Sequence, residues 1–470
     1  MESNRYAEAL RYLYSFTDYE KRMPNIYSDA VWDLRRMEEL LSLLGNPHRQ
    51  FRSIHIAGTK GKGSTAAMID AMLRAGGLQT GLYTSPHLHT FRERIAVGGQ
   101  PISVEEVIRL SDYLKPYVAQ VPGLTAFEVI TTLALLRFAQ QKVDVAVLEV
   151  GLGGRLDATN IITPAVTIIT SLSYDHMALL GHTLADIARE KAGIIKEGAV
   201  VLSAPQQPDA LAVIEESCRK KGASLQVIGR DWHWQAGPAD LDGQFFGLRE
   251  GPALPEAADE LHEFDNGYWI PLLGLHQLTN ASLAVMAVRE LNRKLGAQAV
   301  SDAHIRAGLR KVRWPGRLEI LGQRPFVVVD GAHNGDSSEK LMAALQRHFS
   351  YGHVILVFGA SQDKDLLGMF ENLLPRTSAV VFARAHHPRA MDAAQLAAQA
   401  QAFLSRQPAG AHEPIIYEST DVAAALSEAL HLAGPGDLVC ATGSLFLAAE
   451  VREAWARLQG QEPPATDPEI

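Results

Sequence analysis

The sequence predicts an α/β protein built on two mostly parallel, doubly wound sheets, and three observations carry that prediction. Short β-branched or aliphatic runs alternate with helical stretches over residues 51–198, and the alternation restarts after residue 317. Between the two series, Val312-Arg313-Trp314-Pro315-Gly316-Arg317 interrupts both periodicities with Pro and Gly. The first strand-like run leads straight into a Gly-rich loop that opens a helix. Length alone, 470 residues, would suggest about three domains. The placement of the breaks argues instead for two, residues 1–312 and 317–459.

The first fifty residues read as helical: Tyr6, Leu10, Leu13 and Tyr14 fall at helical spacing, and 31–44 form a second such segment. Strands are expected at 53–57, 81–84, 143–150 and 166–171, with helices at 64–75 and 126–140. A strand at 201–204 and a helix at 209–221 continue the theme. Residues 229–268 read differently. Trp232, Trp234, Phe245 and Phe246 among Gly and Pro indicate a small β-rich excursion, with the acidic stretch 256–265 as a solvated loop. A helix at 280–294 closes the region. Beyond the break, strands fit 326–330, 354–358, 379–383, 414–418 and 437–441. Helices fit 336–349, 366–374, 392–406, 421–432 and 445–458. The tail 460–470, with Pro463, Pro464 and Pro468, is expected to be disordered.

Composition narrows the function. Apolar residues make up 47% and charged residues 21%, which excludes a disordered or collagen-like chain. The 44 Lys plus Arg against 53 Asp plus Glu give a formal charge of -9, so a general nucleic-acid or anionic-membrane surface is not expected, although a local basic pocket is compatible. Two cysteines, Cys218 and Cys440, cannot build a disulfide framework. Residues 1–6 lack an apolar signal region, and no window approaches eighteen apolar residues. A cytoplasmic protein with no membrane partner is the expectation.

Ile54-His55-Ile56-Ala57 runs into Gly58-Thr59-Lys60-Gly61-Lys62-Gly63-Ser64-Thr65 and then a helix. Backbone N–H groups at such a helix start form an anion cradle, and glycine lets a phosphate approach closely. Lys62 would reach the β- and γ-phosphates, and Ser64 or Thr65 would offer a hydroxyl to Mg²⁺. The match to the ordinary P-loop pattern is imperfect: aligned on Gly61-Lys62, the first glycine slot holds Ile56 and the Ser/Thr slot holds Gly63. Glu149 ends an apolar strand, where a carboxylate can meet a phosphate-bound Mg²⁺, and Gly151, Gly153 and Gly154 follow it. His176 follows a strand at the equivalent edge, and Asp330 ends the strand-like run 326–329 ahead of a small-residue turn. Residue pattern alone places Lys191 on a solvated helix face, Ser85 in a turn before Pro86, Arg92 in solvent, Arg317 as a linker charge and Ser444 as a helix cap.

The phosphate loop resembles that of the Mur ligase superfamily, specifically folylpolyglutamate and dihydrofolate synthases. The resemblance continues in order through Ser85-Pro86-His87-Leu88, Arg92-Glu93-Arg94-Ile95, Thr125-Ala126-Phe127-Glu128 and the long stretch 149–160. Asp175-His176, the run 191–196, Trp314-Pro315-Gly316-Arg317 and Asp330-Gly331-Ala332-His333-Asn334 complete it. It implies a P-loop-type ATPase domain and a C-terminal Rossmann-like domain that binds glutamate. The implied reaction is ATP-dependent addition of L-glutamate to a folate, or to dihydropteroate, by a monomer. By resemblance Ser85, Glu149, His176 and a carbamylated Lys191 hold Mg²⁺, in two sites. Asn280 approaches adenine, Arg317 the phosphates, and Asp330 and His333 the ATP and amino-acid side of the cleft, with His333 a candidate base. Arg92, Phe127, Arg155 and Asp157 fall on the acceptor side, and Ser444 on the glutamate side. Other Mur-type peptide ligases, a P-loop small-molecule kinase and a non-catalytic nucleotide-binding module are the competing readings.

Overall fold

The structure is a computed structural model that describes residues 2–19, 32–251, 267–296, 299–408, 410 and 412–469. The acidic stretch 256–265 lies outside the described residues. Its first sheet has eight strands: β1 (Arg52–Ala57), β2 (Thr80–Tyr83), β3 (Ile95–Val97), β4 (Gln100–Pro101), β5 (Val145–Glu149), β6 (Val166–Ile169), β7 (Val200–Ser203) and β8 (Ser224–Val227). Their spatial order is β4-β3-β2-β5-β1-β6-β7-β8, parallel from β2 to β8, with the short β3–β4 hairpin antiparallel at one edge.

Central strands of this sheet are apolar on both faces because helices cover both. In β5, Val145 and Val147 pack with Met68, Ile69 and Met72 of helix Lys62–Ala75 and Leu283 and Met286 of helix Leu275–Leu295. The alternate residues Ala146 and Leu148 face Leu133 and Phe138 of helix Ala126–Gln140, with Leu10, Leu13 and Leu40 from the N-terminal helices behind. The β-rich excursion is a three-stranded antiparallel sheet, β9 (Trp232–Ala239), β10 (Gln244–Glu250) and β11 (Tyr268–Ile270).

The last sheet comprises β12 (Glu319–Gln323), β13 (Phe326–Val329), β14 (Val354–Phe358), β15 (Ala379–Phe382), β16 (Ile415–Glu418) and β17 (Leu438–Thr442). Its order is β12-β13-β17-β14-β15-β16, parallel except for β12, and it too has an apolar core on each face. The α/β expectation therefore holds. Helices Val104–Val118 and Asp302–Lys311 and the edge strands β8 and β12 were not anticipated. The edge strand β12 is half-buried along most of its length, so it shows neither alternation nor a continuous apolar run.

One expectation is corrected. The tail is placed through Glu469, and Asp467 accepts hydrogen bonds from the Tyr6 hydroxyl and the Phe91 N–H, both at 2.7 Å. These contacts offset the ordering entropy that a Pro-rich composition suggested would win.

Candidate active site

In a parallel sheet the ligand crevice lies beyond the carboxyl ends of the strands, where neighbouring connections diverge. β1 lies between β5 and β6, so the loops after these three strands meet at one edge. The loop after β1 is Gly58–Gly61. Thr59 and Lys60 N–H donate to Ser171 O beyond β6 at 3.0 and 3.1 Å, which ties the phosphate loop to its neighbour. Thr65 N–H makes a helical bond to Gly61 O, leaving Lys62, Gly63 and Ser64 N–H at the open end of the helix. Gly58 has φ 153°, and a Cβ there would lie 1.8 Å from Thr170 Oγ1. Gly61, at φ 89°, meets the Asn280 side-chain oxygen in the same way.

A cavity of about 230 Å³ opens here, lined by residues from both sheets. Gly58 to Ser64, Ser85, Glu149, His176, Lys191 and Asn280 line it from the first sheet's side, and Arg317, Asp330 and His333 from the second. Thr65 is fully buried, and among the described residues its hydroxyl has no hydrogen-bond partner. Lys62 Nζ donates to Gly58 O at 3.2 Å and stands 3.9 Å from Glu149 Oε1. Burial raises the Glu149 pKa, against the opposing pull of Lys62 and a hydrogen bond from Ser85 N–H at 3.3 Å.

Lys191 corrects the residue-pattern expectation of a surface lysine: it is 5% exposed. In helix Leu184–Ala192 it sits four residues after buried Ile187 and next to buried Ala192, so it belongs to the inward face. Among the described residues its ammonium makes no hydrogen bond, and burial, then Lys62, lowers its pKa to about 7. His176, in a left-handed conformation at φ 51°, is brought down to about 3 chiefly by burial, so it is neutral with a lone pair to offer.

A shared carboxylate joins the two halves. Asp175 Oδ2 accepts from Lys60 at 2.9 Å, and its Oδ1 accepts from Lys364 at 3.1 Å. His333 Nδ1 faces Gly331 O at 2.7 Å and so carries the proton, leaving Nε2 to accept from Lys60 at 2.7 Å. Burial, and then Lys60, hold the His333 pKa at about 4. Asp175 is well below the usual carboxylate range: burial works the other way, and Lys60 and Lys364 overcome it. Asp330 accepts from Leu318 and Ala332 N–H, both at 2.8 Å, which fixes the linker against the end of β13.

Other expected residues lie behind the cavity wall. Asp157 accepts from Gly151, Leu152 and Thr159 N–H at 3.0 Å, shaping the glycine loop rather than facing the space. The Phe127 ring packs against Gly151 and Tyr83, backing the same loop. Arg155 pairs with Glu190 at 3.1 Å, beside Lys191. Ser444 caps helix Leu445–Leu458 through Leu447 N–H. Arg92 lines a second cavity of about 470 Å³, which shares Pro86, Arg317 and Leu445 with the first. Sequence reasoning gave no role to Asp175, and it missed Lys364, in the loop after β14. It sits in Asp363-Lys364-Asp365, which reads as an ordinary charged turn.

A phosphate loop facing a second α/β unit across a cation-rich cleft defines a nucleotide-dependent ligase. The Mur ligase middle domain matches residues 56–288, and the Mur ligase glutamate ligase domain matches residues 316–445. A dihydrofolate synthase/folylpolyglutamate synthase of Bacillus subtilis is 40% identical, covering 76% of this chain and 82% of that protein. A folylpolyglutamate synthase of Lacticaseibacillus casei is 34% identical, over 95% and 98%. The structure of Mycobacterium tuberculosis folylpolyglutamate synthase with ADP and AMPPCP superposes with a TM-score of 0.83 at 32% identity, covering 98% of this chain and all of that one. The chain belongs to the folylpolyglutamate synthase/dihydrofolate synthase family of Mur ligases, and it is an ATP-using ligase.

The Gly58 geometry yields a test. A Gly58→Ala variant should keep its secondary structure by circular dichroism but lose about 100-fold in kcat/KM for ATP, as expected for a loop displaced by about 1 Å. Wild-type kinetics with ATP would show that the close approach to Thr170 does not govern the loop.

Proposed function

We propose that this chain joins L-glutamate to the γ-carboxylate of a (tetrahydro)folate, and to the carboxylate of dihydropteroate, through an acyl phosphate. Residues 1–312 serve as the ATP unit and 317–459 as the glutamate unit, acting as a monomer in the cytoplasm. A single observation carries the reading: Lys62, Glu149, Lys191, Arg317, Asp330 and His333 line one cavity between two strand-end edges. Two buried free cysteines suit a reducing compartment. The Bacillus subtilis relative's name pairs both synthase activities.

The donor set fits Mg²⁺. The Ser85 hydroxyl, the Glu149 carboxylate, neutral His176 and Lys191 border the same space. Among the described residues no group of three His, Cys, Asp or Glu forms a cage, so phosphates and waters would have to complete the shell. When bound, Mg²⁺ would neutralise charge on the transferring phosphoryl group. Lys191 would contribute as its carbamate: the neutral amine that burial favours adds to CO₂, a C–N bond forms, and one proton leaves to solvent.

Lys62 and Arg317 bring positive charge to the phosphates, where positioning and electrostatics supply most of the catalysis. The acceptor carboxylate attacks the γ-phosphorus and ADP leaves. The glutamate amine then adds to the acyl carbon, loses a proton, and displaces phosphate. The acceptor enters from the second cavity, past Pro86 and Leu445. With its pKa near 4 and its Nε2 engaged by Lys60, His333 is better suited to orienting Lys60 than to removing the amine's proton.

With ATP and Mg²⁺, ADP and phosphate should form only when glutamate and either tetrahydrofolate or dihydropteroate are both present. A stable phosphorylated product from the acceptor alone would mark a kinase instead. Lys191→Ala should lower kcat by at least about 100-fold, and added acetate or formate should restore part of it. Full activity without an additive would remove the carbamate from the account.

A further inference from the structure

The chain leaves helix Leu445–Leu458 on the second unit and returns to the first as an extended segment, 461–469. Asp467 there accepts from two donors of the first unit, the Tyr6 hydroxyl and the Phe91 N–H. Phe91 opens the short turn Phe91–Arg94, at the heart of the loop that follows β2. Pro464 and Ala465 line the second cavity together with residues of that loop. The preceding helix grips the same loop: His89 Nδ1 lies 3.0 Å from Glu453, and Arg452 bonds both His89 and Glu319.

The loop 86–94 is thus held twice by elements that follow the second sheet, once by a helix and once by the tail. Glu93 holds the Leu88, His89 and Thr90 N–H groups from within the loop. Asp467 Oδ2 takes the next one, Phe91 N–H, where the turn carrying Arg92 begins, and Arg92 lines the cavity that Pro464 and Ala465 border.

We propose that the tail is a working part of the acceptor site: Asp467 is a positioning residue for the 86–94 loop, and Pro464 and Ala465 limit which acceptors the adjoining cavity admits. The proposal rests on the reading above that this loop and cavity receive the acceptor.

The test compares the full chain with Asp467→Ala, Asp467→Asn, Arg92→Ala and a variant ending at Gln461. Steady-state constants for tetrahydrofolate, ATP and glutamate are measured beside amide hydrogen exchange over 86–94. Asp467→Ala should raise the tetrahydrofolate KM about tenfold, the effect of one lost charge-assisted hydrogen bond, with kcat and the ATP KM within about twofold. Asp467→Asn should recover part of the loss because its carbonyl still accepts from Phe91, and exchange over 86–94 should quicken in Asp467→Ala and in the shortened chain. Unchanged exchange in the shortened chain would overturn the proposal outright. Faster exchange with an acceptor KM altered only by Arg92→Ala would overturn it while sparing the acceptor reading. Faster exchange with an acceptor KM that no variant alters would overturn both together.

Discussion

Asp175 is the carboxylate on which the cleft depends. It receives Lys60 from the phosphate loop and Lys364 from the loop after β14, while His333 from beyond β13 accepts from Lys60. An isolated carboxylate in so enclosed a place would be costly, and so would two lysines without a counter-charge. Lys60 and Asp175 pair within the first unit, and Lys364 and His333 reach them from the second, so the full network forms only when the two strand-end edges face each other. Asn334, donating to Tyr174 O at 3.1 Å, adds a neutral link across the same gap.

This arrangement explains how a chain of net charge -9 accepts substrates that are all anions. The cations are concentrated in the cleft: Lys60, Lys62 and Arg317 border one cavity. Burial does more than gather them. It lowers the pKa of Lys60 to about 8, so that lysine gains from an incoming negative group, and that of Lys191 to about 7, which favours the neutral amine. The phosphate loop is fixed beforehand by its bonds to Ser171, which reduces the reorganisation that binding requires.

Much of the fold was legible because both sheets bury two faces, and a strand buried on both faces reads as an unbroken apolar run. Strand β14 (Val354–Phe358) and the helices Ala126–Gln140 and Leu445–Leu458 were read to the residue for this reason. The phosphate loop and Glu149 were legible because their chemistry is local: a loop between strand and helix, an acid at a strand end. What depended on distant partners was not. Lys364 gains its meaning only from Asp175, 189 residues away. Lys191 read as a surface residue because charged neighbours hid the inward stripe of its helix. Arg155, grouped with the substrate contacts, is engaged by Glu190. The tail's composition suggested disorder, while two donors on remote elements, Tyr6 and Phe91, hold it.

The central claim is that the acceptor carboxylate is activated as an acyl phosphate before glutamate adds. Labelling that carboxylate with ¹⁸O and analysing the phosphate released in a single turnover tests it directly. Transfer through an acyl phosphate places one labelled oxygen in the phosphate and leaves the other in the new amide carbonyl. Unlabelled phosphate accompanying amide formation would contradict the account.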